Sequence, residues 1–371
     1  MKWTAGLVVA GALLRFGFAI AADELREDEK YRYAMIADHL RRGEGFAIEG
    51  HPTAQAMPLW PAMLAALPAG VKPHLLSALL STSALVAFAV VARRLAEPGV
   101  AGVALALLAL DLDQASLAGT ILTEPLFTLL LLLFAWAWTG GRTVAAAAAI
   151  GLASLVRPEA FLVPLAIALF TREWKRPLCL LAGVLLCVAP WAMRNARVFG
   201  AFVPFTTTGG ITLNSGMNET EAELPFRKRG QARGKRYKHA LVMARERTEV
   251  VDDRELGRQA IEYALAHPGD ALAITASKAA QLWTPMQRKG TSAVYALATL
   301  LAWAALLRGR ARFRMPLVAP MLAVMTFVGL LFLAIPRYRA PYDPFVFLVA
   351  ASPFARPRAA PPAAAPSHPP S

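Results

Sequence analysis

A chain of 371 residues that is 56% hydrophobic and only 17% charged carries more apolar side chain than one globular interior can hide. Its 39 basic and 25 acidic residues give a formal charge of +14, and that charge cannot be spread along apolar spans, because an ion at the bilayer centre costs about 2.5–3.5 kcal/mol even on the lenient insertion scale. Disorder, a collagen-like rod and a disulfide-stapled secreted scaffold are excluded, and the class that remains is an all-α polytopic membrane protein with its charges gathered between the spans.

A crossing helix needs about 20 predominantly apolar residues. Ten stretches approach this: 3–22, 73–92, 98–110, 121–138, 143–156, 159–170, 178–193, 291–307, 315–334 and 342–354. The shorter ones must borrow residues from their loops. The first has no small-residue cleavage site before the acidic turn that follows it and no strong basic leader, so it reads as a permanent helix and not as a signal peptide. The apolar segment 57–69 is short and broken by Pro58, Pro61 and Pro68, which suits an interfacial or re-entrant helix.

With the amino terminus in the cytoplasm, 13 basic residues from Lys2 through Arg93, Arg94, Arg142, Arg172, Lys175, Arg176 and the Arg308 cluster to Arg358 lie inside. The three short outer loops hold only Arg157, Arg337 and Arg339, as the positive-inside rule requires. The expectation is a multi-pass protein of the bacterial plasma membrane with both termini cytoplasmic. Two long segments, 23–72 and 194–290, are left outside, and loops of that length seldom serve only as connectors. The second ends in a helical pattern through Ile261, Leu265, Leu272 and Ala276. Cys179 and Cys187, the only cysteines, share one span, so neither a disulfide framework nor a cysteine metal site is supported. Residues 1–355 form one transmembrane domain, and the Pro/Ala-rich 356–371 reads as a disordered cytoplasmic tail.

The first outer loop opens with Asp23, Glu24, Glu27, Asp28 and Glu29, after which Tyr33, Ile36, Ala37 and Leu40 fall at helical spacing. This is an amphipathic helix lying along the membrane surface. A carboxylate at its start is placed to act as a general base toward a lipid-borne substrate; the plainer reading is that these acids solvate a turn and cap a helix. Glu124 is sharper, because an acid just inside an apolar run must be paired or neutralised, the alternative being a helix-start Glu at the outer interface. Arg157, Arg194 with Asn195, and Arg337 with Tyr338 and Arg339 follow three outer helix ends. Guanidinium forks match phosphate oxygens, so these ends could form one pocket for a lipid phosphate, although interfacial arginines also snorkel to headgroups. His51 is a lone candidate proton carrier. The basic run 227–239 either holds an anionic headgroup or polymer or is a solvated excursion, and its outer position excludes nucleic acid.

The segments LLRFGF, YRYAMIADHLRRGEGF and PTAQAMPLWPAMLAAL, then LTEPLF, GLASLVRP, PWAMRNARVFGAFVPFTTTGG and PRYRAPYDP, resemble in the same order the recurring segments of the polyprenyl-phosphate-sugar glycosyltransferases. These are GT-C fold enzymes such as the protein O-mannosyltransferases and the aminoarabinose transferase of lipid A. The resemblance runs to about Pro344. It implies a GT-C-like bundle of about ten helices with two long external loops, a catalytic acid after the first span at Asp28 or Glu29, and a second acid at Glu124 or Asp113. Phosphate contacts would fall on Arg194, Arg337 and Arg339, with Arg157 alongside, and sugar or acceptor contacts on Tyr33, His51, Asn195 and Tyr338. The donor would be a polyprenyl-phosphate-linked sugar and the acceptor a hydroxyl of a protein, lipid or glycan.

The reaction so implied is inverting transfer at the outer face. A lipid-linked donor accords with the absence of GxGxxG and Walker patterns. No His/Asp ligand spacing marks a metal site, and a divalent requirement stays open. The competing class is a transporter or flippase for a lipid-linked sugar, which would place charges at the midplane and commonly show repeated halves. No internal repeat is present, and the ionisable residues gather at one face.

Overall fold

The computed structural model describes residues 2–22, 27–229, 249–284, 293–307 and 317–355, without the side chains of residues 2, 27–31 and 227. The tail 356–371, Asp23, Glu24 and most of the basic run 227–239 lie outside the described residues.

Helix α1 (Lys2–Ala21) buries only the stripe Gly11, Arg15 and Ala19, spaced one helical turn apart, and leaves Trp3, Val9, Leu13 and Ile20 exposed. That is the distribution expected of a helix with lipid on most sides. A methyl group at Gly11 would come within 2.6 Å of Leu85 and 3.2 Å of Ala109, so the glycine lets three helices meet. After α2 (Glu27–Arg41), a short ladder pairs β1 (Ala47–Ile48) with β2 (His51–Pro52), Ile48 opposite His51. The proline-bounded segment supplies the seven-residue α3 (Leu59–Ala65), anchored by fully buried Trp60.

Helices α4 (Pro73–Leu95) and α5 (Pro98–Leu110) start on prolines, whose fixed φ suits the first turn. At Asp111 the chain bends by 49° into α6 (Leu112–Ser116) and a following turn. Asp111 caps α6 by accepting from the Asp113 amide at 3.0 Å. The carbonyls freed at the end of α5 are met by Arg15, which donates to Leu108 O at 3.1 Å and Ala109 O at 3.4 Å while its Nε reaches Ser81 Oγ at 3.0 Å. The intramembrane arginine thus faces the bundle and satisfies a broken helix.

There follow α7 (Glu124–Thr139), α8 (Thr143–Ser154), α9 (Leu162–Thr171) and α10 (Lys175–Phe199). Helices α8 and α10 touch through backbone: a methyl at Gly151 would lie 2.6 Å from Gly183 O, and one at Gly183 2.5 Å from Ala147 O. The segment between α10 and the last helices holds α11 (Gly209–Gly216), α12 (Glu219–Glu223), α13 (Glu249–Ala266) and α14 (Pro268–Trp283). Gly210 brings α11 against the backbone of Asp253, where no side chain would fit. Helices α15 (Ala293–Leu307), α16 (Val318–Leu331), α17 (Pro336–Arg339) and α18 (Asp343–Ala351) complete the described chain. The core joins α4, α5, α7 and α18, with Phe88 of α4, Phe127 and Phe134 of α7, and Phe345 and Phe347 of α18 fully buried.

Among the described residues three helices, Trp3–Ala21, Pro73–Leu95 and Lys175–Phe199, are long and apolar enough to cross a bilayer, and the bent pair Pro98–Leu110 with Leu112–Gly119, taken as one span, makes a fourth. Five more apolar helices are 10–17 residues long. The expected ten apolar stretches therefore become helices of unequal length. The last, expected at 342–354, is a nine-residue helix buried on nearly every side, a length that suits an interior helix.

Candidate active site

Pro125 starts α7 and puts Glu124 at its mouth, fully buried. Pro158 prevents α8 from continuing, so Arg157 stands extended between α8 and the turn Pro158–Phe161. Pro336 nucleates the single turn α17 that carries Arg337. These three helix ends converge. Glu124 Oε1 accepts from Arg157 Nη1 at 2.9 Å and from Arg337 Nε, while Arg157 Nε donates to Glu159 Oε1 at 2.5 Å. The Arg157 guanidinium also lies 4.9 Å from the Tyr338 ring centre and 5.6 Å from that of Phe127. Burial disfavours the Arg157 cation, yet Glu159 and Glu124 outweigh it and raise its pKa.

Beside this cluster opens a cavity of about 410 Å³. Its cationic end is formed by Arg32, Arg157 and Arg337, with Glu159, Tyr33 and Tyr338. Burial pushes the Tyr33 phenol up to about 12, which keeps it a neutral hydroxyl at ordinary pH. A second wall is apolar, from Leu162 at the start of α9 and Phe327, Val328 and Leu331 of α16. Gln55, Thr206, Thr208 and Thr212 add polar groups to the lining, and Arg32 Nη1 donates to the Gln55 carbonyl at 3.2 Å. A cationic end joined to an apolar wall can hold an anionic head on a hydrocarbon tail.

Of the residues expected at a site, Arg157, Arg337, Tyr33 and Tyr338 line this cavity, and Glu124 lies behind it. Arg339 turns away: it is 1% exposed, bonds Asp343 Oδ1 at 2.8 Å and lies 3.9 Å from Asp113, with Gln114 bridging to Asp343 at 3.2 Å. Arg194 donates to the carbonyls of Thr53 at 2.7 Å and Phe46 at 2.9 Å and packs on Trp191. Asn195, fully buried, donates to Val203 O at 3.0 Å. Both serve to hold the segments around Phe46, Thr53 and Val203. His51 is exposed in β2. Asp28 and Glu29 lie in the first turns of α2, but their side chains are outside the described residues. Among the described residues no group of three or more His, Cys, Asp or Glu is arranged to hold a metal ion.

Sequence reasoning passed over Arg32, hidden in a run of mixed charge although it precedes Tyr33 directly. It also passed over Glu249, whose carboxylate accepts from Thr53 Oγ1 at 2.9 Å, Ala54 N at 2.5 Å and Thr207 Oγ1 at 3.0 Å. With the Thr207 amide donating to Ala54 O at 3.0 Å, this clasp lays segments 53–57 and 205–209 side by side at the cavity rim. One of several acids in the stretch 246–255, it gave no signal of that role.

No family model matches the sequence, and no curated protein is significantly similar to it. Solved structures do match. The oligosaccharyltransferase of Archaeoglobus fulgidus tethered to an acceptor peptide containing the NVT sequon superposes with a TM-score of 0.55 at 13% identity, over 95% of this chain and 49% of that one. The Archaeoglobus fulgidus oligosaccharyltransferase AglB with an inhibitory peptide and a dolichol-phosphate gives 0.52 at 13% identity, over 94% and 50%. ArnT from Cupriavidus metallidurans bound to undecaprenyl phosphate gives 0.44 at 15% identity, over 95% and 76%. The chain spans about half the length of the oligosaccharyltransferases it matches. In its arrangement of helices the chain has the GT-C fold of these oligosaccharyltransferases.

Proposed function

We propose that the protein is an inverting glycosyltransferase that moves a sugar from a polyprenyl phosphate carrier to a hydroxyl acceptor at the outer face of the membrane. The observation that carries this reading is the convergence of Arg32, Arg157 and Arg337 on a cavity with one apolar wall. A likeness in fold to an oligosaccharyltransferase seen with dolichol-phosphate supports it. In the proposed topology both termini are cytoplasmic, residues 1–355 make one membrane domain of about ten helical passes, and loops 23–72 and 194–290 face outward.

In the proposed reaction Asp28 or Glu29, at the start of α2, takes the proton of the acceptor hydroxyl as its oxygen bonds the anomeric carbon, a role worth about 10²–10⁴ in rate. The bond from that carbon to the phosphate oxygen breaks, and the electron pair leaves with the polyprenyl phosphate. Its growing charge is met by guanidiniums already fixed in place, which need not reorganise. Glu124 does not line the cavity; its part is to aim Arg157 and Arg337. The lipid tail leaves along the α9 and α16 wall.

Proteoliposomes carrying the full chain, a labelled polyprenyl-phosphate hexose and a cell-envelope fraction as acceptor source test this. Release of sugar-free polyprenyl phosphate should stop in the Asp28→Asn/Glu29→Gln double variant. Unchanged release removes the assignment of the base, and lipid movement across the bilayer without release favours the transporter.

A further inference from the structure

A second gathering of arginines, which the proposed reaction does not use, stands at the far end of α7. That helix starts at Glu124 and ends at Thr139, so its last turn lies about 20 Å from the buried acid. Its final carbonyls, the negative end of the helix dipole, draw in guanidiniums from two neighbouring helices. Arg94, near the end of α4, donates through Nη1 to Trp136 O at 2.7 Å. Arg176, at the start of α10, donates through Nη2 to Trp138 O at 3.1 Å and through Nε to Thr143 Oγ1 at 3.4 Å. Gly141, at φ 73°, turns the chain sharply after α7, and Arg142 comes back over the helix end. Its guanidinium lies 4.3 Å from the Trp136 ring centre, with Arg94 5.3 Å from the same ring and Arg176 3.9 Å from that of Trp138.

An arginine that only snorkels sweeps a wide arc, whereas these three are held by rings and carbonyls that leave most of each guanidinium's five N–H donors to point elsewhere. Arg94 and Arg142 are exposed and Arg176 is half-buried. The hydrogen bonds of Arg94 and Arg176 go to carbonyls and a hydroxyl, and Arg142 rests on a ring, so no carboxylate neutralises any of the three among the described residues. The turns 93–97, 139–144 and 171–176 together hold six basic residues against two acids, Glu97 and Glu173. Segments 308–316 and 356–371, which lie outside the described residues, contain no acid that could change this balance. Beside the cations the surface is apolar: Val144 is 84%, Leu178 55% and Trp174 58% exposed. Cations, an exposed indole and bare apolar side chains on adjoining turns are the composition of a membrane–water boundary.

We infer that Arg94, Arg142 and Arg176 form a binding site for the phosphate headgroup of an anionic phospholipid, whose acyl chains lie along the apolar flank at Val144 and Leu178. Guanidinium forks match the phosphate oxygens, and basic pockets between helix ends are suited to such headgroups. A zwitterionic headgroup carries a cation of its own to a site with positive charge in surplus and is disfavoured. A soluble phosphate gains nothing from the apolar flank. By bridging the ends of α4, α7 and α10 the lipid ties together helices that belong to different parts of the chain. The site is separate from the cavity and does not depend on the reaction proposed for it.

Purified full-length protein, delipidated in detergent, would be titrated with phosphatidylglycerol, with phosphatidylcholine of the same acyl chains and with inorganic phosphate, and bound ligand counted by native mass spectrometry. Phosphatidylglycerol should bind about tenfold or more tightly than phosphatidylcholine, and the Arg94→Gln/Arg142→Gln variant should lose about tenfold or more of that affinity. A thermal midpoint within about 2 °C of the wild type shows that the double variant is folded. Should it unfold, Arg142→Gln alone reads the same loss at about threefold. The cavity is cationic as well, so Arg337→Gln is the counter-test and should keep the phosphatidylglycerol affinity within about twofold. Equal binding of the two lipids overturns the inference, as does a folded double variant that binds phosphatidylglycerol like the wild type or a loss confined to Arg337→Gln. Inorganic phosphate binding as tightly as phosphatidylglycerol makes the ligand a soluble anion and overturns the lipid assignment.

Discussion

Glu124 holds two arginines with a single oxygen. Both Arg157 Nη1 and Arg337 Nε donate to Oε1, whereas Oε2 is buried without a hydrogen-bond partner among the described residues. Glutamine can therefore keep the accepting oxygen and put its NH₂ in the place of Oε2, losing the charge while retaining both bonds. Both donors remain guanidinium ions, so the bonds stay charge-assisted, but trading carboxylate for amide moves each from the top towards the bottom of the range of about 1.5–3 kcal/mol, roughly 2–3 kcal/mol for the two. Part of this is returned because a buried carboxylate no longer has to be desolvated, leaving a net cost of about 1–2 kcal/mol. Alanine removes the acceptor altogether and leaves two guanidiniums facing a void, a change that costs about 3–5 kcal/mol for a broken buried pair. Thermal unfolding of the full chain, followed by tryptophan fluorescence, reads the difference. At about 2 °C per kcal/mol for a large chain, Glu124→Gln should lower the midpoint by roughly 2–4 °C and Glu124→Ala by roughly 6–10 °C. Equal losses would mean that charge alone matters, and an alanine variant within about 1 kcal/mol of the wild type would remove Glu124 as the element that fixes the arginines.

Arg337→Gln should weaken binding of sugar-free polyprenyl phosphate about ten- to a hundredfold, and Arg337→Lys less, since the charge stays while the fork is lost; equilibrium titration in nanodiscs checks this, and an unchanged affinity places the phosphate elsewhere. Glu249→Ala removes the acceptor shared by Thr53, Ala54 and Thr207, and amide exchange at Ala54 and Thr207 should accelerate about tenfold or more. Unaltered exchange would show that Arg194 alone suffices to hold the loops. Lys278, fully buried, donates to Leu330 O at 3.2 Å and Leu331 O at 3.4 Å, and burial lowers its pKa from 10.5 to about 8 against the opposing pull of Glu221. Because the folded pKa lies below the unfolded one, the unfolded chain binds more protons between these values, and stability should rise as pH climbs from about 8 to 10.5. Lys278→Met should flatten that rise in thermal midpoints measured across the same window, and an identical slope in both proteins would refute the assignment.

The membrane class and the positions of the apolar helices are legible in the sequence because hydrophobicity is a local property. The stretch 73–92 becomes Pro73–Leu95, and Pro98–Leu110 is found where the run ends at Asp111. Span length is not legible in the same way, because whether a short apolar helix meets lipid or other helices depends on its neighbours: α18 is wrapped by the core, whereas α1 is bare. At the site, Arg157 and Arg337 stand out as arginines at helix ends expected on one face. The same signal marks Arg194 and Arg339, yet Arg194 is taken up by the carbonyls of Thr53 and Phe46, and Arg339 by Asp343, partners up to 148 residues away in sequence. An arginine's partner is a tertiary fact, so helix ends give candidates and only the packing divides them. Arg32 and Glu249 illustrate the converse, since neither breaks a local pattern.

The glycine seam between α8 and α10 has a mechanical consequence. Gly151 lies a turn before the end of α8, and neither it nor Gly183 has room for a methyl group. The two helices are therefore keyed together just below Arg157, and sliding one along the other would drive backbone into backbone. That side of the cavity behaves as the fixed jaw of a vice. Any change in aperture falls to the other jaw, α16, whose last carbonyls accept from Lys278 of α14.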